Sequence, residues 1–238
     1  KYIQFAEYLA TWLPNTYLTD SRVVENYYLE RFNSRSTYIP YGSDVTILPP
    51  GEMLAKYGLE QGRYVLFVGR FVPENCIHHL VDAFRALDTD LKCVIVGDSA
   101  YAEEYVASLK KSGEGDSRII FTGYVFGKGY HELGSNASIF VETSGVGGTH
   151  PALVEAMAFG NCVIVHDTPE NLETIGDAGF SYNGQAGAPA LKEVLQRLVE
   201  DPDLVADYGE RAREYARSHY AWDAVTDDYE RLFQETLR

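Results

Sequence analysis

Ser138-Ile139-Phe140-Val141-Glu142-Thr143-Ser144-Gly145-Val146-Gly147-Gly148-Thr149-His150-Pro151 carries the reading of the fold. Ser138–Val141 is a short apolar run with no alternation, which reads as a strand covered on both faces. Gly145, Gly147 and Gly148 follow, so backbone N–H groups there can approach a ligand with no Cβ in the way. Pro151 then suits the first position of a helix through Phe159, because its missing N–H is not needed there. Such a helix start presents unpaired amides and the positive end of the dipole, which is an anion site. A tight structural turn is the alternative explanation of the glycines.

Strand, glycine loop and helix recur outward from this point. Tyr64–Val68, Cys93–Val96, Ile119–Thr122, Cys162–Val165 and Phe180–Tyr182 are short runs rich in Val, Ile and Phe. Between them Ile77, Leu80, Val81, Phe84 and Leu87 recur at helical spacing, and helical patterns cover about Ala102–Lys110 and Gly129–Gly134. This alternation implies an α/β fold, a Rossmann-like doubly wound parallel sheet with right-handed crossovers. Helices over about Ala188–Glu200, Asp203–Ser218 and Trp222–Leu237 follow, the first two split by Asp201-Pro202. Residues 1–44 differ: a helix at Tyr2–Trp12, a strand at Thr16–Leu18, a helix capped by Asp20-Ser21 and running to Arg31, and a strand at Tyr38–Ile39. Two short strands are expected to be too few for a sheet of their own.

The 238 residues are 45% hydrophobic and 23% charged, the profile of a globular protein with a sizeable core. Twenty basic against 35 acidic residues leave a net charge of −15. That excess of acid argues against nonspecific binding to nucleic acid or to an anionic membrane, though one local pocket can oppose the global sign. No apolar run is long enough to span a membrane. Cys76, Cys93 and Cys162 read as reduced core residues, with no Cys/His cluster for zinc. A cytoplasmic location follows as the expectation, possible at the periphery of the inner membrane.

Ligands in open α/β sheets bind beyond the carboxyl ends of the strands. Gly69 and Arg70 follow the first strand of the alternating region, and Tyr124 and Val125 follow the third. No G-x-G-x-x-G or Walker A pattern is present, so neither a dinucleotide fold nor a P-loop is supported. A phosphate-bearing ligand held by Arg70 and the glycine loop is the reading from chemistry alone. Asp98 reads as a turn residue, His78 and His79 as exposed, and the acidic stretch Asp201–Asp228 as solvated surface.

Gly69-Arg70-Phe71-Val72-Pro73-Glu74-Asn75 resembles the GR-x-x-x-x-K element of retaining GT-B glycosyltransferases, the glycosyltransferase family 4 group. Ile95-Val96-Gly97-Asp98, Phe121-Thr122-Gly123-Tyr124-Val125 and Pro151–Ala158 are similar to its later blocks. Ile39-Pro40-Tyr41-Gly42-Ser43-Asp44 resembles its domain-junction stretch, and Tyr220-Ala221-Trp222 with Tyr229 its final crossover helix. Val72–Asn75 with Gly145–Pro151 looks like a bacterial subgroup that includes rhamnosyltransferases of surface-polysaccharide assembly, which makes dTDP-rhamnose a plausible donor. Two positions depart from the pattern. The first Glu of the Glu-x7-Glu motif is Gly147, while Glu142 lies too far from Glu155 to replace it by spacing, and the motif Lys is Asn75.

The resemblance implies the second, donor-binding half of a GT-B enzyme: residues 45–238 hold the nucleotide-sugar domain. Residues 1–44 would be the closing elements and linker of an acceptor domain whose remainder is missing, so that this chain alone is expected to transfer little. It implies transfer from a nucleoside-diphosphate sugar to a saccharide or lipid-linked saccharide acceptor hydroxyl, with retention and with no cofactor or metal. The leaving diphosphate would help deprotonate the acceptor at an oxocarbenium-like transition state. Arg70 and Glu155 take the catalytic roles, Arg70 on the diphosphate and Glu155 on the ribose. Gly69, Asn75, Tyr124, Val125, Gly145, Val146, Gly147, Gly148, Thr149 and His150 complete the donor site. Asn75 is alternatively an N-cap, Tyr124 and Val125 alternatively packing residues, and His150 alternatively a structural cap. A nucleotide-sugar-binding module without turnover, and a GT-B-type epimerase, are the competing functions.

Overall fold

The computed structural model describes residues 2–237, the side chain of Ile3 excepted. The first segment runs α1 (Tyr2–Trp12), β1 (Leu18–Thr19), α2 (Arg22–Phe32) and β2 (Thr37–Tyr38). After α3 (Glu52–Tyr57) come β3 (Tyr64–Val68), α4 (Ile77–Arg85), β4 (Lys92–Val96), α5 (Glu103–Gly113), β5 (Ile119–Gly123) and α6 (Lys128–Asn136). The alternation continues with β6 (Ile139–Glu142), α7 (Pro151–Phe159), β7 (Cys162–His166), α8 (Pro169–Ile175) and β8 (Phe180–Tyr182). Helices α9 (Ala188–Glu200), α10 (Pro202–His219) and α11 (Trp222–Thr236) close the described chain.

Six strands form one parallel sheet in the order β5-β4-β3-β6-β7-β8. Period-two geometry sends Val65 and Phe67 of β3 to the face covered by α4, α5 and α9. Tyr64 and Leu66 go to the opposite face, under α3, α6, α7 and α10. Both faces are therefore buried, which is why these strands are apolar but for Lys92 and Glu142 at their ends. Truncating a side chain such as Phe67 to Ala should cost about 3–5 kcal/mol, the transfer and cavity terms together.

The first segment departs from expectation. β1 and β2 do pair, as a parallel two-stranded ladder with Ile39 N–H extending it to Thr19 O at 3.0 Å. That ladder survives its small size because α2 lies against α8 and Ile39 is buried with Val225 and Leu232 of α11. Glu173 of α8 accepts from Ser21 Oγ and from the amides of Arg22 and Val23, so a carboxylate sits at the positive end of α2. Ser21 is the N-cap, its Oγ accepting from Val23 N at 3.1 Å. Cys93 and Cys162 are core residues, whereas Cys76 is half-buried in a left-handed conformation with φ 47°. His78 is exposed, but His79 is half-buried, with Nδ1 3.1 Å from the Tyr182 hydroxyl. No described helix is long and apolar enough to cross a membrane.

Candidate functional site

β3 and β6 are neighbours, yet the chain leaves β3 for β4 on one side and β6 for β7 on the other. A doubly wound sheet opens a crevice at the carboxyl ends of such a strand pair. A cleft of about 680 Å³ lies there, lined by Gly69, Arg70, Glu74 and Asn75 after β3, and by Glu142, Val146, Gly147, His150, Pro151 and Ala152 after β6.

The β3 lip is set by a close backbone approach. Gly97 has φ +135°, and a Cβ there would lie 1.9 Å from the Gly69 carbonyl oxygen, so only glycine fits. Arg70 is exposed, and its guanidinium makes no ion pair or hydrogen bond among the described residues. Its carbonyl is held instead, by Asn75 Nδ2 at 2.8 Å. Asn75 Oδ1 accepts from Ser144 Oγ at 3.1 Å, so Asn75 ties the two lips together. It does not cap α4: the N-cap position is Cys76, which makes no side-chain cap bond.

The β6 lip has a pinned root and an unbonded tip. Gly145 N–H donates to Glu74 O at 3.0 Å, Asn171 Nδ2 to Ser144 O at 3.1 Å, and Thr143 Oγ1 to Asn75 O. Beyond that root, the amides of Val146 to Thr149 and of Ala152 bond to no described group. Gly147, at φ +126°, is in a conformation that favours glycine. Val146 is 56% exposed at the rim. Gly145, Gly148 and Thr149 do not line the cleft. Gly148 packs on the Asp20 carboxylate, and Thr149 Oγ1 donates to Asp20 O at 2.6 Å. His150 occupies the N-cap position of α7 without capping it, and Pro151 takes the first turn. The His150 ring instead lies beside Gly147, where a Cβ would stand 3.0 Å from its Cε1.

Glu155 is one turn into α7, half-buried and outside the lining of this cleft. Its Oε2 accepts from the Tyr130 hydroxyl of α6. Burial first, then the Glu155 carboxylate, push the Tyr130 phenol well up, so it stays a proton donor at neutral pH. Tyr124 and Val125 line a second concavity of about 650 Å³ together with α3 and Lys128 of α6. Tyr124 is 58% exposed, donates to Asp98 O at 3.0 Å and stacks on Phe126 with centroids 5.9 Å apart. The Glu155–Tyr130 bond thus joins the helices bordering the two concavities. Asp98 lies in the loop after β4, its Oδ1 accepting from Ser99 N–H at 2.8 Å.

Sequence reasoning missed Tyr130 and Asp20, and it set Glu142 aside. A lone acidic residue ending an otherwise apolar strand was the signal for Glu142; nothing local marks the other two. Among the described residues no cluster of three or more His, Cys, Asp or Glu side chains could hold a metal ion.

Residues 52–215 match the family model described as glycosyl transferases group 1. The chain is 25% identical over 231 residues to an uncharacterized glycosyltransferase of Methanocaldococcus jannaschii, covering 91% of this chain and 57% of that protein. It is 24% identical to the alpha-maltose-1-phosphate synthase of Mycolicibacterium smegmatis, over 82% of this chain and 55% of that one. Among solved structures, Anabaena HepE in complex with UDP and glucose superposes with a TM-score of 0.86 at 18% identity, over 98% of this chain and 66% of that chain. The chain therefore spans about half to two-thirds of the length of these relatives. The likeness to HepE carries the fold alone, an α/β parallel sheet with closing helices like the C-terminal half of a GT-B protein. The family match over most of the chain places this protein in the glycosyl transferases group 1 family.

Proposed function

We propose that the cleft between the β3 and β6 lips binds the diphosphate of a nucleoside-diphosphate sugar, as the donor half of a retaining glycosyltransferase. The observation that carries this reading is the pairing of an unpartnered Arg70 guanidinium with unbonded loop amides and the α7 N-terminus, in the one crevice the winding reversal creates. In a protein of net charge −15, Arg70 and these amides supply positive groups to a cleft that Glu74 and Glu142 also line. On this reading the bond from the anomeric carbon to the β-phosphate oxygen breaks, and the departing diphosphate's charge is stabilised by groups already in place. The acceptor hydroxyl adds to the same face, and its proton goes to the leaving phosphate oxygen. Glu155 holds the ribose, and the Tyr124–Val125 concavity borders the base. UDP-glucose, given the HepE complex, and dTDP-rhamnose, given the glycine loop, are the first donors to try. We further propose that residues 1–44 belong to an acceptor-binding domain, docked here through Asp20, Ser21 and α2. The acceptor would be a saccharide or lipid-linked saccharide, and the setting cytoplasmic.

Titration calorimetry with UDP, dTDP and GDP tests this reading. At least one should bind, and Arg70→Ala should weaken it by roughly 10- to 150-fold, the worth of about 1.5–3 kcal/mol for a charge-assisted contact. Because the Arg70 guanidinium has no partner among the described residues, the variant should melt as the wild type does. Undiminished affinity in Arg70→Ala would remove the diphosphate from this cleft.

A further inference from the structure

The floor of the cleft holds a charged group that the diphosphate reading leaves idle. Glu142 ends β6 and shares a sheet face with Phe140, the face that α7 covers. It is 4% exposed, and the little surface it keeps opens into the cleft. A carboxylate is rarely buried to this degree without full compensation. Here Oε1 accepts one hydrogen bond, from Ser144 N–H at 2.9 Å, and Oε2 accepts none among the described residues.

The surroundings leave one carboxyl oxygen of Glu142 without a donor. Burial pushes the Glu142 carboxyl up, and the His150 imidazole and the Ser144 amide offset this only in part. Glu142 and His150 line the same cleft and make no direct hydrogen bond or ion pair, so neither takes up the other's hydrogen-bonding capacity. Arg70, Glu142 and His150 then present a cation, a hydrogen-bond acceptor and an imidazole around one volume. A phosphate is repelled by a carboxylate, so Glu142 cannot serve the diphosphate. A neutral group rich in hydroxyl donors fits it.

Resting on the donor-site reading above, we propose that Glu142 is a sugar-binding, specificity-determining residue whose carboxylate accepts a hydrogen bond from a hydroxyl of the donor sugar. The nucleotide is then held by Arg70 and the loop amides, and its sugar by the strand end beneath α7. A buried acceptor discriminates strongly against a sugar lacking the matching hydroxyl, because that sugar leaves the carboxylate unpaired.

Glu142→Gln preserves the shape and the acceptor for Ser144 N–H while removing the charge. Calorimetry would compare UDP with UDP-glucose, dTDP with dTDP-rhamnose, and GDP with GDP-mannose, on wild type and variant. For the pair that the wild type binds, the sugar nucleotide should weaken by about tenfold in the variant, the difference between a charged and a neutral acceptor. The plain diphosphate should stay within about twofold. Unchanged sugar-nucleotide affinity overturns the inference and leaves the diphosphate reading standing. Equal loss for both members of the pair also overturns it, since Glu142 would then act through the fold. If the wild type binds none of the six, the donor-site reading itself fails, and this inference with it.

Discussion

Replacing Gly97 by Ala should damage fold and site together, and the size of the effect follows from the geometry. A Cβ at Gly97 would lie 1.9 Å from the Gly69 carbonyl oxygen, against a lower bound of 3.0 Å for real contacts, so one backbone must move by about 1.1 Å. The neighbour is main chain, held by the Gly69 N–H bond to Val96 O at 3.0 Å, and cannot swing away as a side chain would. A non-glycine residue at φ +135° adds backbone strain of about 1–3 kcal/mol. Overpacking of a close-packed site adds a further ~1–3 kcal/mol. The expected loss is thus about 2–6 kcal/mol, which lowers the melting temperature by roughly 5–20 °C for a chain of this size. Gly62→Ala is the control: Gly62 also has positive φ, at 71°, but nothing lies within 4 Å of its added Cβ. Only the left-handed penalty of about 1–2 kcal/mol applies there. Urea denaturation of both variants, read by circular dichroism, separates the two terms. A Gly97→Ala protein no less stable than Gly62→Ala would refute the close approach, and with it the placement of Arg70.

Tyr130→Phe removes the hydroxyl that holds Glu155 while leaving the cleft lining intact. Nucleoside diphosphate affinity should fall a few-fold, consistent with about 0.5–1.5 kcal/mol for one hydrogen bond, while free pyrophosphate binds unchanged. Equal weakening of both ligands would contradict the ribose role of Glu155. A pH effect follows from His79, whose imidazole is lowered from 6.5 to about 4 by burial and then by His78 and His166. Between those two values the unfolded chain takes up a proton that the native imidazole refuses. Native stability should therefore decline as pH drops through that window. The urea midpoint should decline less steeply in His79→Asn; parallel declines would show that His79 is not the group responsible.

The sheet was legible because its inner strands β3, β4, β6 and β7 are buried on both faces and so are written as nearly unbroken apolar runs. Strand and helix bounds moved by up to three residues, one at the start of Lys92–Val96, one at each end of Ile139–Glu142 and three at the end of Glu103–Gly113. That Arg70 and Gly147 would line one cleft was legible as well, because winding reversal fixes which strand ends meet, whereas Gly145 and Gly148 lie outside that lining. What escaped were features made by distant residues meeting. Asn75 read as a donor contact or a helix cap, yet its side chain spans to Ser144, 69 positions away. Glu142 was dismissed on linear spacing to Glu155, whereas the cleft brings it opposite His150 through the strand end and not along the helix. Helix α8 was overlooked for its seven residues, although Thr168-Pro169-Glu170 has the chemistry of a helix start and Thr168 does cap it. The β1–β2 ladder needed α8 and α11 to stabilise it, and neither contact is visible in two short strands.

The central claim is that the diphosphate lies at the winding reversal of the sheet. A crystal structure of this chain with whichever nucleoside diphosphate binds tightest in calorimetry tests it most directly. The account predicts phosphate density between the Arg70 guanidinium and the amides of Gly147 and Ala152, with the ribose toward Glu155. Density for the nucleotide at any other place, with this cleft filled only by solvent, would contradict it.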